Sequence, residues 1–288
     1  MKYGVSEVFD CLDVAFDRKK ILLQLAGIAI SVGAVFLSSW IGGQIKNDLT
    51  ANIINILGMV AVFLIMATIF AAISRMAYKE LTVGEKLSQK EALAFSKKNL
   101  VSIIFSPVII VAAGGAVLLA EYLIFILGRF SAFQIIISIF SVPVLLINAV
   151  IALTFALAVF FIYPIIAVDE SGPIKTSRKI LSAAVSAPVK VLCGSALTAL
   201  LGIPVILSLA SILFLANIST ISMFGTASGI FEAMKATEIP SIPVTTYVAW
   251  SIFLVSLSAL SGAVLSFALV FTKTAAVSIY LSIKSSLK

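Results

Sequence analysis

Histidine is absent from the 288-residue chain, cysteine occurs twice, and charged side chains make up only 11% of it. Without histidine there is no Ser-His-Asp or Cys-His arrangement, and the commonest metal ligand is missing. Cys11 and Cys193 show no CxxC spacing, which argues against a zinc or redox site. Neither a P-loop nor a GxGxxG pattern occurs, so no nucleotide or other cofactor is expected. An ordinary soluble domain carries about 25% charged residues. Here 61% of residues are hydrophobic and the mean hydropathy is +1.19. A soluble fold of this size cannot cover that much apolar surface. The composition excludes a soluble enzyme, a nucleic-acid-binding domain and a disordered tail. It leaves a polytopic, all-α membrane protein, read as non-enzymatic, with no catalytic, cofactor or metal site expected.

What is present is a series of long apolar runs. A membrane helix needs about 20 mostly apolar residues to cross about 30 Å of hydrocarbon. Five runs meet this as single spans: 21–41, 53–78, 101–127, 188–216 and 244–273. The run 133–168 is too long for one upright crossing and too short for two, and it contains Pro143 and Pro164, which can break or kink a helix. One span at about 142–164 with an interfacial lead-in gives six spans in a single membrane domain, 1–288. Four acidic residues (Glu7, Asp10, Asp13, Asp17) precede the first span, so it reads as a retained span and not as a cleaved signal peptide.

Loop charge orients the six spans. With the N-terminus cytoplasmic, every Lys and Arg except Lys46, Arg129 and Lys235 falls on the inner side or near inner span ends, as the positive-inside rule requires. Both termini are then cytoplasmic, and a bacterial cytoplasmic membrane is the expected location. The net charge of +7 reflects this topology and contact with anionic headgroups. Trp40, Tyr122, Tyr247 and Trp250 fall at outer ends, and Tyr78, Tyr163 and Tyr280 at inner ends, where amphipathic rings sit at headgroup level. Arg18, Lys19 and Lys20 are expected to anchor the first span, and Arg75 and Lys273 to snorkel from inner ends.

A cytoplasmic amphipathic segment precedes each outward span. Val5, Val8, Phe9, Leu12 and Phe16 mark one helical face, opposite Glu7, Asp10, Asp13 and Asp17. That face is too acidic for a simple basic membrane anchor, so it suits docking to a cytoplasmic partner. Ser88 and Glu91 form an S-x-x-E capping box ahead of Ala92, Phe95, the Lys97–Lys98 pair and Leu100. Pro173 suits a first helical turn, with Ile174, Leu181, Ala184 and Val185 on one face. The starts near 5, 88 and 173 suggest three units of interfacial helix plus hairpin. Regular spacing of basic loops in any hairpin protein is the alternative.

Small residues mark close helix contacts in lipid. Gly194, Thr198 and Gly202 form one ladder, Ser258, Gly262 and Ser266 another, and Ala112, Ala116 and Ala120 a third, beside Gly114 and Gly115. Packing within the bundle is the expectation, and a seam with a second copy or a protein partner is the alternative. Pro107 and Pro204 can kink their spans. Glu121 is the one intramembrane ionisable candidate, read as an interfacial carboxylate reaching water. Asp169–Glu170 could bind a cation or a headgroup, but reads first as a solvated loop start. The stretch 217–242, with Met223, Phe224, Ile230, Phe231 and Met234 beyond the sequon Asn217-Ile218-Ser219, reads as an outer connector in which Ser228 can cap a short helix.

The stretch Tyr163-Pro164-Ile165-Ile166-Ala167-Val168-Asp169-Glu170-Ser171-Gly172-Pro173-Ile174-Lys175-Thr176-Ser177 is the most distinctive. It resembles the linker before the fifth span of bacterial six-helix proteins of the glycerophosphodiester-phosphodiesterase membrane-domain type, and the Ala94-Phe95 region is similar to their earlier linker. The resemblance implies a six-helix membrane module that works beside other proteins. The chain carries no catalytic phosphodiesterase domain, so that activity is not implied. The expected role is an accessory or scaffold subunit that binds membrane lipids and a protein partner or a second copy. The alternative is a permease for a lipid or small apolar solute, which would need a cavity reaching a leaflet.

Overall fold

Helix ends are written into the local sequence. Asp17 accepts a hydrogen bond from the Lys19 N–H at 3.0 Å, and Asn47 accepts from the Leu49 and Thr50 N–H groups, so each caps the long helix that follows. Gly84, at φ 72°, takes the left-handed position that ends another. Both halves of the Ser88–Glu91 capping box form, and Pro173 stands in a first turn. The computed structural model describes residues 5–126, 131–227 and 244–286, all of whose regular structure is helical. The helices are α1 (Val5–Ala15), α2 (Arg18–Gly43), α3 (Asp48–Val83), α4 (Gln89–Lys98), α5 (Leu100–Ile126), α6 (Ser131–Asp169), α7 (Pro173–Ser186), α8 (Pro188–Ala227) and α9 (Val244–Ser286). Among the described residues the order short, long, long occurs three times.

The six long helices are each long and apolar enough to cross a membrane, and the protein is an all-α, six-span membrane protein. Neighbours touch through glycine. A Cβ on Gly27 of α2 would lie 2.9 Å from Ile69 of α3, and one on Gly58 of α3 would lie 2.2 Å from the Ser38 hydroxyl of α2. On α8, Cβ atoms on Gly194 and Gly202 would lie 3.2 Å from Ile279 and 2.1 Å from Phe271 of α9. Gly262 of α9 faces Leu25 of α2, and Ser266 is fully buried, its hydroxyl donating to the Gly262 carbonyl. Thr198 donates likewise to the Gly194 carbonyl. Ser258 is exposed.

An α-helix rises about 1.5 Å per residue, and the hydrocarbon layer is about 30 Å thick. With 36, 39 and 43 residues, α3, α6 and α9 are longer than that layer. One end of each packs with α1, α4 or α7, and the densest packing among the described residues lies there. Ile73, Ile165, Ile166, Ile180, Val191 and Val277 are fully buried. Among the described residues towards the other end, the large apolar side chains of Phe36, Leu49 and Met59 are exposed.

Several expectations are corrected. Pro143 and Pro164 do not interrupt α6, which is one continuous helix. α9 runs past the expected end at 273 to Ser286, because Tyr280 and Ile283 are held in the core. The α1 face is rotated: Val8, Cys11, Leu12 and Ala15 are buried, while Phe9 and Phe16 are about half exposed. On α7 the buried side is Ile180, Ala183 and Ala184, whereas Ile174, Leu181 and Val185 point outward. The Ala112–Ala116–Ala120 ladder is exposed, and the close approach of α5 to α6 is instead at Gly114, where a Cβ would meet the Phe155 ring at 2.4 Å. α8 runs past the expected end at 216 to Ala227, so Met223 and Phe224 belong to that helix and not to a connector, while the expectation for Ser228, Ile230, Phe231 and Met234 lies outside the described residues.

Candidate functional site at the charged end

Three carboxylates organise the packed end, and each stands between two cations. Glu80 of α3 binds the Lys20 ammonium from α2 and has Lys86 at 3.7 Å. Glu170, just past α6, meets Arg75 of α3 at 2.8 Å and Lys98 of α4 at 3.8 Å. Asp169, the last residue of α6, meets Lys179 of α7 at 2.5 Å and accepts hydrogen bonds from Lys284 and the Tyr280 hydroxyl of α9. Together these contacts tie α2, α3, α4, α6, α7 and α9.

The turn after α6 makes this possible. Glu170 adopts φ 47°. For a residue with a Cβ, this left-handed conformation costs roughly 1–2 kcal/mol. The reversal aims Asp169 at α7 and α9 and Glu170 at α3 and α4. Ser171 and Thr176 bond side chain to side chain at 2.8 Å across the turn. Arg75 also donates to the Ala167 carbonyl at 2.6 Å and lies 4.6 Å from the Phe95 ring centroid, a cation–π contact joining α3, α6 and α4.

Asp169 is therefore no solvated loop start: its side chain is 7% exposed and its oxygens are taken by internal cations. That saturation leaves Asp169 poorly placed to take up an external cation, whereas Glu170 stays partly exposed beside Arg75 and Lys98. Among the described residues no cluster of three or more carboxylates or thiols is arranged to hold a metal. Lys20 is buried against Glu80 and the Val14 carbonyl, at 2.8 Å, and is not a headgroup anchor. Lys273 does not snorkel either. It is enclosed, donating to the Val159 carbonyl at 3.2 Å over the rings of Phe70 and Tyr163.

Glu121 is drawn into α5's buried side, 8% exposed, and its Oε1 lacks a hydrogen-bond partner among the described residues. It does not reach water as expected. The structure brings Asp169 and Glu170 together in one network and leaves Glu121 apart from it on α5. The network's partners Lys20, Arg75, Lys179, Tyr280 and Lys284 escape sequence reasoning because they lie far apart in the chain. Their signals were the excess of cations at inner ends and, for Tyr280, its ring at one of those ends.

Cys11 is buried in α1, and burial pushes its thiol up to about 12, so it is inert at neutral pH. Cys193 is exposed on α8. Comparison with protein-family models, curated proteins and solved structures finds no match to this chain.

Proposed function

We propose that the protein is a non-catalytic accessory or scaffold subunit of a bacterial cytoplasmic membrane, with both termini cytoplasmic. It presents the acidic side of α1 to a protein partner. The observation that carries this reading is the two-sided placement of α1. Val8, Cys11, Leu12 and Ala15 are buried against the bundle, while Asp10 and Asp13 point out on the opposite side. A helix fixed by one face, with carboxylates on the other, offers a rigid negative surface to a basic partner. The saturated network behind it supplies the rigidity.

The test is purification in mild detergent with quantification of any stoichiometric companion. The reading expects a companion that is lost from Asp10→Lys/Asp13→Lys. A lone monomer under several conditions, or a companion indifferent to those charges, refutes it.

A second reading, a permease for an apolar solute, is favoured by one observation. A groove of about 190 Å³ opens between α6, α8 and α9, lined by Phe161, Thr198, Gly202, Ile206, Phe271 and Ala276. Its test is solute or lipid movement across reconstituted vesicles, and its signature is loss of movement in Thr198→Trp.

A further inference from the structure

A second groove, between α5, α6 and α7, joins apolar depth to positive charge. Its volume is about 330 Å³, within the range of ligand pockets, about 300–1,000 Å³. Ile109, Ala113 and Val117 recur at helical spacing along its α5 wall, and Ile151 and Phe155 form the α6 wall. Both walls belong to membrane spans, so an occupant lies at hydrocarbon depth. The groove floor is the close approach at Gly114, where no larger residue fits against Phe155.

At its charged end the groove meets the outward face of α7. Ile174, Arg178 and Leu181 line it there. Ile174 and Arg178 are shared with an adjoining cleft of about 320 Å³ that also includes Gly172 and Lys175. Lys175 and Arg178 are exposed and form no ion pair among the described residues, whereas Lys179 on the same helix is held by Asp169. The α7 face thus pairs one cation inward and leaves two exposed, flanked by exposed Ile174 and Leu181.

We infer that this groove binds a membrane phospholipid with an anionic headgroup. An acyl chain lies along Ile109, Ala113 and Val117, and the headgroup phosphate meets Lys175 and Arg178. Charge complementarity selects the headgroup, and the apolar walls distinguish a lipid from a free phosphate. The inference goes beyond the α1 reading and does not depend on it.

The probe is phosphatidylglycerol against phosphatidylcholine in mixed micelles, read by thermal unfolding and by lipid retained after delipidation. The wild-type chain is expected to retain phosphatidylglycerol and to gain melting temperature from it alone. Lys175→Ala/Arg178→Ala removes that gain and weakens retention roughly 30-fold, at about 1 kcal/mol per cation. Ala113→Trp fills the groove and lowers retention with both charges intact. Asp10→Lys/Asp13→Lys retains the lipid, which separates this inference from the α1 reading. Unchanged retention in both groove variants overturns the site, as does an equal loss in Lys90→Ala/Lys97→Ala on α4. A gain reproduced by inorganic phosphate shows an ion site and overturns the lipid.

Discussion

Asp169 is the residue on which most of the packed end converges. Removing its charge leaves Lys179 and Lys284 facing each other across the Tyr280 hydroxyl. Breaking a buried pair costs about 3–5 kcal/mol. The partial exposure of both lysines puts Asp169→Asn at the low end, about 3 kcal/mol, measured by unfolding in mild detergent. Lys284→Ala alone costs about 1 kcal/mol, because Lys179 remains and solvent screens the loss. Glu91 gives a pH-dependent case. The Ser88 backbone N–H, then the Ser88 hydroxyl, hold its carboxyl below the ordinary value. Its stabilisation is therefore fully present above the ordinary carboxylate pKa and is lost as pH falls through the lowered one. Hydrogen exchange at the Ser88 amide is expected to accelerate, relative to intrinsic rates, on acidification in the wild type and to show no such step in Glu91→Ala. Glu91 was legible because a cap is local, reaching back only to Ser88. Lys20 and Lys273 were misread because the sequence shows an end-of-span cation but not the carboxylate, carbonyl or ring brought to it by another helix.

For the elements, periodicity found the short helices and the inward side of α4, where Ala92 is buried and Phe95 packs on the core, but only part of the inward side of α1 and α7. In α1 the spacing of Phe9 and Phe16 pointed to an apolar face, yet the protein buries the smaller Cys11 and Ala15 and leaves those rings about half exposed. Large rings at a membrane surface can face lipid, while small residues allow close packing, so apolarity alone does not give the buried side. Cys11 reports on this docking. In a Cys193→Ser background Cys11 is expected to resist maleimide at neutral pH, since its thiol is both covered and pushed up to about 12. Val8→Asp, which puts a carboxylate on the buried face, releases α1 and raises the labelling rate. Rapid labelling of the undisturbed chain contradicts the docked position.

Across the whole molecule, six spans and their alternation were legible, because a hydrocarbon layer of about 30 Å imposes its length on any helix that crosses it. Where the packing concentrates was not, since Asp169–Glu170 read as a solvated loop start and the part of α9 beyond 273 lay outside the expected span. The α8 ladder does face α9, and there the fit is tight against a ring. Gly202→Val is expected to cost about 2–3 kcal/mol by overpacking. Phe271→Ala in the same chain relieves part of it, so the double variant loses less than the sum, read as melting temperatures in one detergent.

The contact between α1 and α9 also sets an order of assembly. Phe16 lies 4.4 Å from Phe267, and Val8, Cys11 and Leu12 share a core with Val270 and Phe271. During synthesis α1 can meet α3 and α8 first, but its apolar side is fully covered only once α9 is in place. A nascent chain halted before α9 should keep Cys11 open to maleimide, and release through residue 286 should close it. Docking of α1 therefore depends on a helix far along the chain, and its outward face is fixed in place only once α9 has packed against it.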